Sequence, residues 1–455
     1  MICPLGGARQ HVAEHHHSPR FSMASVARTA VNDGRHPLIV HSHLRWDFVW
    51  QRPQQILSRF GRSRPVLYVE EPVFADDIAA GSLDVSQPTP GVYRVIPRLP
   101  GDLRASYDDA AAAVRTLLVE LLGEGGQLAG TFDDAVQWFY TPMPARTMLG
   151  ALGECAVVYD CMDELAQFRF APPDLGARER QLMSAADVVF TGGYQLYQSK
   201  AKHHENVHFF GCGVDARHFG LARNPETPVP PELADLPQPV LGYFGVVDER
   251  LDYELLGRLA DAFPDGSVVV VGPVVKVDPR DLPQRPNLYW LGQRAYADLP
   301  RYVKAFDVCL MPFALNEATE FINPTKTLEY MAAGKPIVST AVPDVVRNFT
   351  PIVRVADSTD EFIHEARAAI APDPERIDAG VACARRSSWE SIVTAMDRLM
   401  TTAVQARRPW SAAKEATQGR RATAASVSAT SAPQASGGSA AVRSGSKGEG
   451  AATRA

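Results

Sequence analysis

Residues 240–271 read VLGYFGVVDERLDYELLGRLADAFPDGSVVVV, and this stretch indicates the fold class. Its two ends, Val240–Phe244 and Ser267–Val271, are short apolar runs of the kind that form buried strands. Between them, Tyr253–Ala262 has the character of a helix. A strand, a helix and a second strand in this order predict a βαβ unit, which requires a parallel sheet.

The same alternation occurs on both sides of a proline-rich segment. Upstream, a strand at Pro37–Ser42, a helix at Gln54–Phe60 and a strand at Pro65–Glu70 form the first unit. Further strands are predicted at 135–140, 156–160, 187–191, 288–291, 308–311 and 336–339, and further helices at 110–122, 177–185, 299–305 and 325–333. We therefore expect an α/β fold of two doubly wound, Rossmann-like domains that face each other across a cleft.

Composition supports this division and sets the domain boundaries. Residues 224–239 contain six prolines, which neither a helix nor a central strand tolerates, so this segment is predicted to be a linker. The N-terminal domain is expected at 37–223 and the C-terminal domain at 240–407. We expect a disordered leader at 1–36 and a disordered tail rich in Ala, Ser and Gly at 408–455.

Charge and cysteine content exclude several classes of protein. The 455 residues carry a formal net charge of -6, whereas a dedicated nucleic-acid binder is usually basic. No apolar run is long enough to span a membrane. The six cysteines are scattered and form no C-x-x-C pair, so we expect free thiols, a cytoplasmic location and no zinc site.

The segment Asn323–Pro336 carries the clearest chemical signal. Asn323 suits a helix N-cap, Pro324 suits the first helical position and Gly334 suits the helix end. A lysine in the first turn, Lys326, can reach a diphosphate at this anion-binding end, with Thr325 beside it. Glu329 follows one turn later, where its carboxylate can accept both hydroxyls of a ribose. The alternative is a solvated Lys–Glu pair.

Two N-terminal segments supply a second set of candidates, because each follows a predicted strand. Trp50, Gln51 and Arg52 are expected to bind an acceptor, and His43 at the end of the first strand can donate a hydrogen bond. A helix-packing role for Trp46 and Trp50, and a structural role for the histidine, are equal alternatives. Asp160 and Asp163 follow another strand and can act as bases. Helix capping is the alternative for Asp163.

Several of these motifs resemble those of GT-B glycosyltransferases of the family 4 clan. The segment 328–338, LEYMAAGKPIV, resembles the donor-site helix, and its Asn323-Pro324-x-Lys326 lead-in is similar to the teichuronic-acid and exopolysaccharide branch. The resemblance extends to Tyr243-Phe244-Gly245, to the segment ending at Gly292, to Gly213-Val214-Asp215 and to the Tyr-Asp-x-x-Asp element that contains Asp160 and Asp163. It implies donor contacts by Gly245, Gly292, Asn323, Thr325, Lys326 and Glu329.

The chain departs from the family pattern at two places. The pattern E-x7-E requires glutamate at position 321, which is Phe321, so we take the neighbouring Glu320 as the catalytic substitute. The family has an arginine and a lysine after the glycine turn. Here Arg250 stands for the arginine, whereas Asp252 occupies the place of the lysine. We therefore expect Arg250 to contact the donor, with Lys326 carrying most of the diphosphate charge.

Together the motifs predict a metal-independent glycosyltransferase without a cofactor. A UDP- or GDP-sugar is expected to donate a sugar to a glycan or lipid-linked acceptor in bacterial cell-surface polysaccharide biosynthesis. We expect no nucleic-acid partner and allow peripheral contact with the inner membrane face. The alternatives are a nucleotide-sugar epimerase of the same architecture and a degenerate, non-catalytic nucleotide-sugar-binding subunit.

Overall fold

Two β-sheets organise the computed structural model, which describes residues 35–168 and 171–407. The strands of the first sheet are β1 Leu38–His41, β2 Val66–Val69, β3 Val73–Ala75, β4 Ser82–Thr89, β5 Val92–Pro100, β6 Val136–Phe139, β7 Ala156–Cys161, β8 Val188–Thr191 and β9 Val207–Phe209. Their order is β3-β5-β2-β1-β6-β7-β8-β9, and β4 pairs with β5. All pairs are parallel except β4–β5.

The second sheet is entirely parallel. Its strands are β10 Val240–Phe244, β11 Ser267–Val271, β12 Leu288–Gly292, β13 Val308–Met311, β14 Ile337–Thr340 and β15 Arg354–Ala356. Their order, β12-β11-β10-β13-β14-β15, is the 3-2-1-4-5-6 order of a doubly wound sheet. The predicted fold class of two doubly wound α/β domains is therefore confirmed.

Helices connect the strands within each domain. They are α1 Arg52–Phe60, α2 Tyr107–Leu122, α3 Ala145–Met148, α4 Leu175–Ala185, α5 Tyr194–Lys200, α6 Ala216–Gly220, α7 Pro231–Ala234, α8 Tyr253–Ala262, α9 Leu299–Ala305, α10 Glu317–Glu320, α11 Lys326–Ala332, α12 Pro343–Phe349, α13 Thr359–Ile370, α14 Pro374–Arg386 and α15, 389–407. Short 3-10 turns lie at Gly101–Ala105, Leu165–Gln167, Leu221–Arg223, Pro279–Asp281 and Tyr296–Asp298. Within the described residues, no helix is both long and apolar enough to cross a bilayer.

The domain boundaries differ from those predicted. Val214 and Phe219 already belong to the core around the second sheet, so the chain changes domain soon after β9. At the other end, α15 returns to the first domain, where Trp389 and Met396 pack in one core with Leu38. The apolar face of α15 is buried against this core of the first domain.

The predicted linker is also part of a packed domain. It contains α7, whose Leu233 is fully buried, and Lys304 of α9 donates hydrogen bonds to the carbonyls of Asn224, Pro225 and Thr227 at 2.6–2.9 Å. Regular structure here is limited to this short helix, and the carbonyls outside it give the lysine three acceptors. The predicted leader and tail lie outside the described residues, except for residues 35 and 36.

A buried ion pair joins the start of α1 to the end of β7. The Arg52 Nη2 atom lies 2.9 Å from Asp160 Oδ1, and Nη1 donates to the Phe210 carbonyl at 2.9 Å. The two side chains are 4% and 0% exposed. The pair thus links two elements of the first domain to the segment that leads into the second, and it is a structural feature of the fold.

We predict that Asp160→Asn lowers the free energy of unfolding by about 3–5 kcal/mol, because the Arg52 charge would remain buried without its partner. Urea denaturation measures the change. The matched control is Asp84→Asn, which breaks the half-exposed pair with Arg98 and should leave the midpoint nearly unchanged. Equal midpoints for Asp160→Asn and wild type would contradict the structural role of this pair.

Candidate functional site

The candidate site lies where the carboxyl ends of both sheets meet. In each sheet the strand order reverses at one place, between β10 and β13 and between β1 and β6. Ligands of open α/β sheets bind at such switch points. Two connected cavities occupy this region: the lysine cavity of about 330 Å³, lined by Lys326, and the histidine cavity of about 600 Å³, lined by His43. Both are lined by Phe48, Gln51 and Val246.

Two glycines form the floor of the lysine cavity. Gly245 follows β10 with φ +148°, and a Cβ atom there would lie 2.1 Å from Lys326 Cε. Gly272 follows β11 with φ +153°, and its Cβ atom would lie 1.7 Å from the Gly245 carbonyl oxygen. Only glycine permits these close approaches, which let the Lys326 side chain cross the carboxyl end of β10.

Lys326 and Glu329 project from the first turn of α11 into this cavity. Lys326 Nζ lies 5.4 Å from the Tyr243 ring centroid, and among the described residues no carboxylate pairs with it within 4.0 Å. Burial lowers the pKa of Lys326. Burial also raises the pKa of Glu329 to about 7, although the charge of Lys326 opposes that rise. Both groups are therefore poorly solvated without a ligand.

The lead-in to α11 differs from the prediction. The helix begins at Lys326, with Thr325 as its N-cap and no side-chain capping bond. Thr325 lines the lysine cavity. Asn323 instead donates from Nδ2 to the Gly192 carbonyl at 3.0 Å, and its own carbonyl accepts from Cys212 Sγ at 3.0 Å. Asn323 therefore links the two domains, and the expectation that it caps the helix is corrected, while its contact with the donor stays a prediction.

A segment of the first domain covers the lysine cavity. Gln293 Nε2 donates to the Phe48 carbonyl at 2.5 Å, and the Trp50 ring lies 6.0 Å from the Tyr296 ring. Trp50 is 36% exposed and lines this cavity, whereas Trp46 is only 4% exposed and packs on Tyr68. Trp50 therefore lies on the side of the lysine cavity, while Gln51 lines both cavities.

Titratable side chains line the histidine cavity, and some of them have no partner among the described residues. His43 Nδ1 is buried and has no hydrogen-bond partner among the described residues, and burial together with the nearby Lys276 charge lowers the pKa of His43 to about 4. Burial raises the pKa of Asp163 to about 6, an increase that the Arg250 charge limits. Arg250 pairs with Asp248 at 2.7 Å. The cavity thus offers a neutral imidazole beside a carboxyl group of moderate acidity.

Four predicted site residues lie elsewhere. Arg52 and Asp160 pair with each other, because two buried charges must compensate one another. Neither residue lines either cavity. Glu320 is exposed on α10 and lines neither cavity. Gly292 ends β12 with φ +70° and does not line the lysine cavity. The assignments of Arg52 and Asp160 are corrected, whereas those of Glu320 and Gly292 stay predictions.

Arg250 and several unpredicted residues complete the site. Arg250 lines the histidine cavity and not the lysine cavity, since the turn after Gly245 carries it there. Sequence reasoning missed Lys276, Gln293 and Tyr296. Each follows the carboxyl end of a strand in the second sheet, which is the signal that identifies such positions. Lys276 has φ +61°, and its Nζ atom lies 4.9 Å from the Phe168 ring centroid.

Comparison with known proteins agrees with this geometry. Residues 239–371 match the family model described as glycosyl transferases group 1. A protein of Bacillus subtilis (strain 168) named as a teichuronic acid biosynthesis glycosyltransferase, TuaH, is 27% identical over 213 residues. This match covers 43% of the chain and 53% of the relative, so it spans about half of the relative's length.

Solved structures share the two-domain architecture. Sucrose-phosphate synthase (tll1590) from Thermosynechococcus elongatus aligns with a TM-score of 0.60 at 16% identity, over 82% of this chain and 100% of its own. An E. coli structure, described as trehalose-6-phosphate bound with UDP-2-fluoro glucose, gives 0.59 at 13% identity over 81% and 99%. Anabaena Alr3699/HepE in complex with UDP gives 0.54 at 13% identity over 81% and 100%.

These matches coincide with the lysine cavity. The family model covers β10 to β15 and therefore Gly245, Lys326 and Glu329. The structural matches extend over both sheets, and the predicted GT-B architecture is confirmed. Residues 239–371, in the second half of a GT-B fold, thus match the group 1 glycosyl transferases, and the chain is similar to a protein named as a teichuronic acid biosynthesis glycosyltransferase.

Proposed function

We propose that this protein transfers a sugar from a UDP- or GDP-sugar to a glycan or lipid-linked acceptor in the biosynthesis of a cell-surface polysaccharide. One observation carries the proposal: Lys326 and Glu329 project from one turn of α11 into a cavity floored by Gly245. A cation and a carboxylate at this spacing match the diphosphate and the ribose of a nucleotide-sugar. HepE was solved with UDP, which is the chemistry we propose for this cavity.

The donor would bind in the lysine cavity. Lys326 has no carboxylate partner among the described residues, so a diphosphate would provide its counter-charge and relieve the cost of its burial. Glu329 would accept hydrogen bonds from the vicinal hydroxyls of the ribose, and these bonds are strong because the acceptor is charged. Lys326 would also stabilise the charge that develops on the leaving diphosphate.

The acceptor would bind in the histidine cavity. The Asp163 carboxylate would take the proton from the attacking hydroxyl, whose oxygen then bonds to the anomeric carbon as the bond to the diphosphate oxygen breaks. His43 would hold the hydroxyl by a hydrogen bond, since its imidazole is neutral at pH 7. The segment that includes Phe48 and Trp50 would cover the donor and exclude water, so that transfer exceeds hydrolysis.

We place this reaction in the cytoplasm, since Cys161, Cys212, Cys309 and Cys383 are free thiols. A lipid-linked acceptor would require contact with the inner face of the membrane. A nucleotide-sugar assay without acceptor separates the candidate functions. Slow release of a nucleoside diphosphate supports a transferase, sugar isomerisation would indicate an epimerase, and neither turnover nor nucleotide binding would indicate a non-catalytic subunit.

Lys326→Ala should weaken binding of UDP or GDP by about 1.5–3 kcal/mol, the scale for hydrogen bonds to charged groups. Isothermal titration calorimetry measures this change. The control is Lys202→Ala. It removes an exposed lysine that does not line the lysine cavity, so the affinity should stay unchanged. Equal affinities for wild type and Lys326→Ala would remove the basis for a diphosphate at this position.

Glu329→Gln should reduce discrimination between ribose and 2'-deoxyribose donors. At pH 8 the wild-type carboxylate is mostly charged, because its pKa is about 7. Loss of one ribose hydroxyl should then cost the wild type about 1.5–3 kcal/mol, and the variant much less. The ratio of kcat/KM for the two donors is the measurement. Glu254→Gln, on the exposed face of α8, is the control. Equal discrimination by variant and wild type would exclude a ribose contact.

Activity should rise with pH through the pKa of Asp163, because only the deprotonated carboxylate can accept the proton. Burial places that pKa at about 6, with Arg250, Lys276 and Arg52 lowering it and Asp248 raising it. The pH profile of kcat/KM should therefore have an acid limb near pH 6. The pH profile of the Asp163→Asn variant should lack this acid limb, and its kcat should fall by about 10²–10⁴-fold. A variant with wild-type kcat would contradict the role of base.

A further inference from the structure

A small side pocket opens beyond the histidine cavity at the switch point of the first sheet. It has a volume of about 60 Å³ and lies between α2 and the carboxyl ends of β1 and β2. Most of its wall is apolar, with Val69, Phe74, Ala111 and Val114 among the lining residues. Glu71, Tyr107 and Thr141 line both spaces, so the side pocket is an extension of the histidine cavity.

Two polar groups at this junction have no hydrogen-bond or ion-pair partner in the part of the chain that the structure describes. Among the described residues, neither the Glu71 carboxylate nor the Tyr107 hydroxyl makes a hydrogen bond or an ion pair, although Arg178 lies 5.4 Å from the Tyr107 ring. Burial raises the pKa of Glu71 to about 7, and Arg45 is the charge that opposes this rise. The neighbouring Glu70 shows the contrast, since it pairs with Arg45 at 2.9 Å.

The junction thus combines three features in one small volume. A carboxyl group can accept a hydrogen bond, a phenol can donate one, and an apolar pocket behind them can hold a group of one or two carbon atoms. An acetamido group has the complementary set: an N–H donor, a carbonyl acceptor and a methyl group. A plain hydroxyl would leave the apolar pocket empty, and an ammonium group would satisfy only the carboxylate.

We propose that the side pocket with Glu71 and Tyr107 is an acceptor subsite for the acetamido group of an N-acetylated sugar. The Glu71 carboxylate accepts from the amide N–H, the Tyr107 hydroxyl donates to the amide carbonyl, and the methyl group occupies the space against Ala111. This assignment rests on the proposed function only in taking the histidine cavity as the acceptor site.

Saturation-transfer NMR with the full chain tests the subsite. The probes are N-acetylglucosamine, N-acetylgalactosamine, glucosamine, glucose and galactose. We expect the wild type to bind at least one N-acetylated sugar about tenfold more tightly than its parent sugar and its free amine, which is the scale for one small apolar group in a fitted pocket. No preference over glucose, galactose or glucosamine would overturn the proposal.

Variants separate the pocket from the rest of the cleft. Ala111→Leu fills the pocket and should remove the preference, whereas Ala112→Leu, on the same helix but outside the pocket, should keep it. Tyr107→Phe keeps the ring and should reduce the preference severalfold, so the proposal remains testable if Ala111→Leu does not fold. A preference that survives both substitutions would overturn the assignment.

A UDP titration of the same proteins distinguishes this failure from failure of the proposed function. The side pocket does not include Lys326 or Glu329, so UDP affinity should be equal in wild type, Ala111→Leu and Tyr107→Phe. A wild type that binds UDP but shows no preference for N-acetylated sugars would refute only the subsite. A wild type that binds neither UDP nor GDP would refute the donor site, and the sugar preference would still decide the subsite.

Discussion

The close approach of Lys326 to the glycine turn after β10 is the constraint on which the site depends. The lysine side chain crosses Gly245 where any Cβ atom would collide with it, and Gly272 in turn lies against the Gly245 carbonyl. Three elements, β10, β11 and α11, thereby meet around one cation. A larger residue at either glycine would displace the ammonium group from the cavity. The backbone of the second sheet thus fixes the position of the charge that the proposed chemistry needs.

Contacts between the domains keep the two cavities connected. Asn323, three residues before the lysine, donates to the Gly192 carbonyl of the first domain, and Asp344 Oδ2 accepts from the Tyr194 amide at 2.7 Å. On the opposite side, Gln293 donates to the Phe48 carbonyl. Because these links attach to the segments that carry Lys326 and Trp50, they position the binding groups themselves. Movement of one domain against the other would therefore change both cavities at once.

The sequence predicted the strands of both sheets more accurately than the site. Buried strands such as Val240–Phe244 are apolar along their whole length, so composition alone identifies them. The hairpin of β4 and β5 was not predicted, because much of β4 is exposed and Pro88 interrupts its pattern. Lys326 and Glu329 were found because one short helix carries both. Arg52 and Asp160 were misassigned because their pairing joins positions 108 residues apart, which no local pattern reveals.

The carboxylates discussed above fall into two groups: those that pair with an arginine, and those without a partner among the described residues. Structural acids have partners: Asp160 pairs with Arg52, and Glu70 pairs with Arg45. Among the described residues, the side chains of Glu71, Asp163 and Glu329 make no hydrogen bond or ion pair, and burial raises the pKa of each to about 6 or 7. An unpaired, poorly solvated carboxylate lowers the stability of the folded protein. All three line the cavities, where a ligand can supply the missing donors and so remove this cost.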